Sequence, residues 1–365
     1  MANVQTQFDT FHSGDKASKK GIRLGRFKKE QQLRQKRNVI RRRLKANLPG
    51  VFKKYGEPNL VPTFKDQGSY KMNTGIKPLP GGGGYDIDQG VYFETPKDGE
   101  GAYSPLTLKK RVEEALDGLT DNIRIRRPCV TVFYKENGVE GAYHVDLAIY
   151  SARGSNTDGK DYLAVGRLGD LLSEQEWKVS DPTGLQHALF SRFKNDSHGR
   201  QQFRRVMRFM KRWKDVNFSS AGNGAPRGIG LTLNAHYGFT PTYFDLLNRT
   251  RDDLGALRKL VDDMLGRFSY QYREKRNEWG HCLIAKLPVE PWSDVYENMT
   301  LGQMTTFETK LKDLKAALDA AYEEEDPHEA CKRLEKVFGS DFPVPAKSDT
   351  ARKAVAGAAS SGISG

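Results

Sequence analysis

The sequence predicts an α+β protein: a mixed sheet with helices against it, a helical C-terminal domain, and a basic helix ahead of the sheet. Three observations carry this. Short strand-like runs alternate with turns between about residues 51 and 180. Helical periodicity dominates from about 181 to 345. The stretch from Lys19 to Leu48 combines helix-forming residues with a dense run of Arg and Lys. The expected order is a flexible start (1–14), a basic helix (15–50), a sheet core (51–180), a helical domain (181–345) and a flexible Gly-terminated tail (346–365).

The 365 residues allow one large or two ordinary domains. With 37% hydrophobic and 29% charged residues, the composition excludes disordered and fibrous classes. No apolar run approaches the roughly 18–20 residues that a bilayer span requires, and Met1-Ala2-Asn3-Val4-Gln5 lacks a basic-then-apolar leader pattern. A cytoplasmic protein without membrane contact is expected. Cys129, Cys282 and Cys331 stand far apart with no metal-ligand spacing, so they are read as unpaired thiols in a reducing compartment. The net charge of +13 points to polyanionic partners.

Taken in order, residues 1–14 read as polar and mobile. The basic helix crowds Arg34, Lys36, Arg37, Arg41, Arg42, Arg43 and Lys45 around a narrow stripe of Leu33, Val39, Ile40 and Leu44, and Pro49-Gly50 is expected to stop it. It is either a nucleic-acid-binding helix or a spine whose charges are solvated or face acidic loops; it lacks aromatics for base stacking. Leu106–Leu119 reads as an amphipathic helix, Cys129–Tyr134 as a strand, Asn137-Gly138 as a hairpin turn and Tyr143–Tyr150 as the returning strand. Arg200–Phe218 has Phe203, Val206, Met207, Met210 and Trp213 at helix spacing, with Arg204, Arg205, Arg208, Lys211 and Arg212 on the other sides. Tyr243–Tyr272 suggests another helix or two, Phe307–Glu325 an amphipathic helix, and Pro327–Phe338 a last helix closed by Gly339.

One stretch, Gln67-Gly68-Ser69 through Asp86-Ile87-Asp88, concentrates the chemistry. Asp86 and Asp88 are two apart on a predicted strand, so both carboxylates share a face while Ile87 points to the core. Asp146 alternates with Val145, Leu147 and Ile149 on another strand. If the strands are neighbours, three carboxylates converge. Such oxygen-only sets select Mg²⁺ or Mn²⁺, and two ions about 3.5–4 Å apart clamp attacking and leaving oxygens. A lone Asp-x-Asp is more often a solvated turn. Here Gly68-Ser69 adds a backbone able to approach a phosphate and a hydroxyl donor. The order Gly-Ser, short helix, Asp-x-Asp, distant strand Asp is the pattern of the polymerase-beta-like nucleotidyltransferases.

A narrower resemblance rests on Thr63–Ser69, Tyr85–Tyr92, His144–Tyr150, Ser180-Asp181-Pro182 and Arg208–Asp215. These segments resemble the bacterial cyclic-oligonucleotide synthases, relatives of animal cyclic GMP-AMP synthase, and within them the dinucleotide cyclase branch that acts in anti-phage signalling. The resemblance runs from about residue 20 to the C-terminus; the flanks match mainly by pattern. It implies that Asp86, Asp88 and Asp146 bind two Mg²⁺ ions, and that Gln67, Gly68 and Ser69 hold the donor triphosphate. Asp146 would also help deprotonate the acceptor hydroxyl. Lys211 resembles a helix lysine that contacts triphosphate; the alternative is an ordinary surface lysine beside Trp213. Ser180 and Asp181 resemble a base-reading lid; the alternative is a helix cap before Pro182. Where many relatives carry a serine after the lysine helix, this chain has Gly228, and Arg227 is the candidate substitute.

The implied reaction joins ATP and GTP, or other NTPs, without template or nucleic acid, into a cyclic di- or trinucleotide, first of all cyclic GMP-AMP, which acts on a downstream effector. The same carboxylates would also serve a non-cyclising transferase, and an inactive nucleic-acid-binding relative is the remaining alternative. Some relatives end in a flexible tail that ubiquitin-transfer-like enzymes conjugate, and Gly365 fits that shape.

Overall fold

Two phenylalanines determine how the chain begins. Phe8 and Phe11 lie on α1 (Gln5–Ser13) and are fully buried. They pack on Phe209, Phe338 and Phe342 with ring centroids 4.9–6.3 Å apart. The mobile start expected for residues 1–14 is therefore corrected to a helix held by aromatic burial; nine residues would not stay helical without such packing. The computed structural model describes residues 2–14, 21–24, 29–79, 84–136, 139–219 and 224–347.

The basic helix α2 (Lys29–Lys54) runs through Pro49-Gly50 instead of stopping there. Proline removes one helical hydrogen bond, but the added turn buries Leu48 and Phe52 in line with Leu33, Ile40 and Leu44. Burying a side chain of that size contributes about 1.5–3 kcal/mol. Gly56, at φ 67°, ends the segment where a left-handed residue is needed. Val39 points outward, off the stripe. Several charges on this helix turn inward: Arg37 and Arg41 both reach Asp66, at 2.8 and 2.6 Å, and Arg41 also bonds Gln89 at 2.8 Å. That is the spine arrangement.

After α2 come β1 (Thr63–Asp66), α3 (Gly68–Lys71), β2 (Tyr85–Phe93) and α4 (Pro105–Ala115). The strands β3 (Ile123–Ile125), β4 (Val130–Glu136), β5 (Val139–Ser151), β6 (Tyr162–Val165) and β7 (Glu176–Val179) follow, then α5 (Pro182–Ser191). Among the described residues the seven strands form one sheet in the order β1-β2-β5-β4-β3, with β6 joined to β5 and β7 to β6. Every pair is antiparallel except β2–β5. The Asn137-Gly138 turn lies outside the described residues. Ile87, Val91, Val132, Val145, Leu147 and Ile149 form one buried face with α2 and α4. The alternation that sends these inward sends Asp86, Asp88, Thr131 and Asp146 to the opposite face.

The remaining elements are α6 (Ser197–Asn217), α7 (Gly228–Gly238), β8 (Tyr243–Asp245), β9 (Thr250–Arg251), α8 (Asp253–Gly266), β10 (Ser269–Arg273), β11 (Glu278–Cys282), α9 (Leu301–Glu323) and α10 (Pro327–Phe338). The Tyr243–Tyr272 segment thus holds one helix flanked by two hairpins, not two helices. Tyr270, Tyr272 and Trp279 are exposed on the β10–β11 ribbon, so no buried apolar face announces those strands. On α6, Arg205, Arg208 and Arg212 are buried, which corrects the expected outward placement. Arg205 pairs with the buried Asp253 at 2.7 Å, and Arg212 with Asp341 at 3.2 Å.

The chain divides into two units. The sheet unit is Leu24–Ala188 with Pro288–Trp292; the helical unit is Met1–Arg23, Leu189–Leu287 and Ser293–Gly365. Among the described residues no helix is long and apolar enough to cross a membrane. All three cysteines are unpaired and buried.

Candidate active site

The site is built by register. In the parallel pair β2–β5, Asp88 lies opposite Asp146 and Asp86 opposite His144. In the antiparallel pair β4–β5, Thr131 lies opposite Asp146 and Phe133 opposite His144. Two rows therefore cross the polar face: Asp88–Asp146–Thr131, and beside it Asp86–His144–Phe133. Neighbouring strands are about 4.8 Å apart, so each row brings its side chains within reach. Asp86 is exposed, and Asp88 and Asp146 are half-buried.

The turn before α3 closes on the first row. Gly68 has φ 63°, and a Cβ there would stand 1.7 Å from Asp88 Oδ2. Only glycine fits the angle and the approach. The Gln67 amide donates to the Asp88 carbonyl at 3.1 Å, and the Thr74 amide to the Ser69 carbonyl at 3.0 Å. Gln67 was expected to touch nucleotide, yet its side chain is buried. Its amide donates to the Tyr92 hydroxyl at 3.0 Å and accepts from Tyr150 at 3.4 Å. The two tyrosine rings stack at 4.4 Å. Burial pushes the Tyr150 phenol up to about 12, so it stays protonated and able to donate. Gly90 leaves the space: a Cβ there would meet Gln67 Nε2 at 2.4 Å. Gln67 thus pins the turn to both carboxylate strands.

Asp146 Oδ1 accepts a hydrogen bond from Thr131 Oγ1 at 2.6 Å, and His144 Nε2 lies 3.9 Å from Asp146 Oδ2. The all-oxygen donor set of Asp86, Asp88 and Asp146 fits a hard divalent cation. Among the described residues no three His, Cys, Asp or Glu side chains stand together in a group that could hold a metal ion, so the expected convergence of all three carboxylates is corrected to carboxylates that share one face of the sheet in adjacent rows.

Ser180 and Asp181 precede α5. Asp181 Oδ1 accepts from the Gly184 amide at 2.9 Å, and its carbonyl from the Leu185 amide at 3.0 Å, so this carboxylate caps the helix. Ser180 lies near the Tyr150 hydroxyl, beside the Gln67 network. Lys211 and Arg227 belong to the helical unit. A Cβ on Gly228 would stand 3.9 Å from Lys211 Cε, so the lysine stem runs past the first residue of α7, beside the exposed Arg227. Gly365 lies outside the described residues. Sequence reasoning missed Thr131, His144 and the buried role of Gln67. The available signal was a polar residue alternating with valines in Val130-Thr131-Val132 and a histidine two before Asp146.

The chain is similar to known proteins. Residues 62–150 match the family described as cyclic GMP-AMP synthase DncV-like, nucleotidyltransferase domain. The cyclic GMP-AMP synthase of Escherichia albertii is 32% identical over 162 residues, which are 43% of this chain; the chain spans only 32% of that curated relative. The Vibrio cholerae DncV cyclic AMP-GMP synthase, solved with nonhydrolyzable GTP, superposes with a TM-score of 0.67 at 19% identity, over 95% of this chain and 98% of that one. The same synthase solved with the linear intermediate 5′ pppA(3′,5′)pG gives 0.64 at 19% identity, over 92% and 96%. At these identities the superpositions speak for the fold. Together the match and the superposition give residues 62–150 as a nucleotidyltransferase domain within a chain that shares the fold of that synthase. More narrowly, residues 62–150 resemble the nucleotidyltransferase domain of the cyclic GMP-AMP synthase, DncV-like family.

Proposed function

We propose that this enzyme joins two nucleoside triphosphates, ATP and GTP, into cyclic GMP-AMP as a messenger in anti-phage signalling. The observation that carries the reading is the register of Asp88 against Asp146 across the parallel pair, with Asp86 one row away and Gly68 pressed on Asp88. Asp86, Asp88 and Asp146 would hold Mg²⁺, which supplies positive charge to the phosphate oxygens at the reacting centre. Ser69 Oγ and the backbone amides around it donate to the donor triphosphate. A carboxylate oxygen of Asp146 takes the proton of the acceptor hydroxyl as that oxygen attacks the α-phosphorus and pyrophosphate leaves. A second attack, by a hydroxyl of the linear product on its own 5′ α-phosphorus, expels a second pyrophosphate and closes the ring. On the resemblance alone, Lys211 and Arg227 are the candidates to meet part of the roughly eight negative charges that two triphosphates bring near neutral pH.

The test is incubation of the purified chain with all four NTPs and Mg²⁺, followed by phosphatase and mass spectrometry. A phosphatase-resistant product with the mass of cyclic GMP-AMP is expected. Products that all lose their phosphates would replace cyclisation by linear transfer, and absence of pyrophosphate release would remove the reading.

A further inference from the structure

Asp146 is flanked on both sides within its row. Asp88 faces it from β2 and Thr131 from β4. Thr131 is fully buried, and its hydroxyl proton goes to Asp146 Oδ1 at 2.6 Å. A hydroxyl has one proton to give, so the contact from Cys129 Sγ, 3.5 Å from Thr131 Oγ1, has the thiol as donor. Burial holds the Cys129 thiol protonated, up to about 12, as that role requires. The result is a directed chain: Cys129 to Thr131 to Asp146.

We propose that Thr131 is a positioning residue for Asp146, fixing the carboxylate torsion through Oδ1 so that Oδ2 is presented to the reacting centre. This rests on the reading of Asp86, Asp88 and Asp146 given above. The terminal torsion of an aspartate is broad when nothing holds it, and Asp88 repels it from across the row. A short O–H···O⁻ bond is among the stronger hydrogen bonds available to set it. The competing account is that Thr131 is there only as a β-branched filler of a strand. On that account valine, with the same shape and no hydroxyl, serves equally well.

Four variants decide between them: Thr131→Val, Thr131→Ser, Thr131→Cys and Asp146→Asn. Two readouts are taken, pyrophosphate release (kcat and KM separately) and Mn²⁺ affinity by calorimetry without nucleotide. Thr131→Val is expected to lower kcat by about tenfold to a hundredfold, in the range of a lost positioning contact, with KM for NTPs within about twofold and weaker Mn²⁺ binding. Thr131→Ser, which keeps the hydroxyl, restores both. If Thr131→Val does not fold, Thr131→Cys takes its place, and its weaker donor must give values between wild type and Asp146→Asn. Wild-type kcat and Mn²⁺ affinity in Thr131→Val, or no recovery in a folded Thr131→Ser, overturns the proposal while leaving the carboxylates in place. Full activity in Asp146→Asn instead removes the reading beneath it.

Discussion

The sheet unit and the helical unit place their charged side chains by opposite means. In the sheet unit, short carboxylates sit in rows set by Cα register, Asp88 opposite Asp146 and Asp86 opposite His144. Their positions along the rows follow from the backbone. In the helical unit the charges are long arginines folded onto partners: Arg205 on Asp253, Arg212 on Asp341, Arg208 on His12. Their positions follow from packing. The difference shows why a net charge of +13 overstates what is available to substrate. Part of the cationic excess is structural, including Lys109, fully buried on the carbonyls of Arg126, Arg127 and Gly166.

The strongest way to break the comparison is Asp88→Asn. If register alone makes the site, this near-isosteric change leaves the fold intact and lowers pyrophosphate release by about a thousandfold or more, the scale of lost electrostatic stabilisation at a reacting phosphate. A drop below tenfold in folded protein would mean the rows are not the reacting centre. Next is Gly68→Ala. The added methyl meets Asp88 Oδ2 and forces a positive φ. Activity should fall about a hundredfold, with about 1–3 kcal/mol lost in denaturant titration.

A third prediction concerns the helical unit. Burial, then the neighbouring Arg208, pulls the His12 imidazole from 6.5 down to about 3. Arg208 Nη1 lies 3.0 Å from Nε2 and donates to it, and Nδ1, 2.8 Å from Ser13 Oγ, carries the proton. Between pH 6.5 and 3 the unfolded chain binds a proton that the folded chain refuses. Stability therefore falls as pH drops through that window, by about 2 kcal/mol at pH 5. His12→Gln should flatten this part of the curve in thermal melts from pH 7 to pH 5. An unchanged slope would assign the acid loss to other groups. The smallest effect is expected from Lys211→Ala: about a tenfold rise in KM for NTPs with kcat less affected, measured by steady-state pyrophosphate release. Equal loss in kcat would instead mean a contact made only in the transition state.

How legible all this was depends on the range of the interactions. The Asp86-Ile87-Asp88 alternation, the Val145, Leu147, Ile149 face and the helices α6, α9 and α10 follow from local periodicity, and the structure shows them. The pairing of β2 with β5 is non-local, and no pattern within either strand names its neighbour. Helix α1 was missed because nine residues, with only Phe8 and Phe11 as apolar anchors, form a helix through contacts far away in the sequence. Pro49 misled for the same reason, since Phe52 repays in the core what the proline removes. Gln67 and Thr131 look like ordinary polar residues until their partners, Tyr92 and Tyr150 for one and Asp146 for the other, are known.

The single parallel pair also governs when the site can exist. A hairpin can bring antiparallel strands together as they are made, but parallel neighbours need an intervening crossover. Here everything from α4 to β4 lies between β2 and β5 in the chain. A chain emerging from the ribosome therefore carries Asp86 and Asp88 for some sixty residues of synthesis before Asp146 appears, on the count of the sequence itself. Through that interval the two carboxylates have no opposing row.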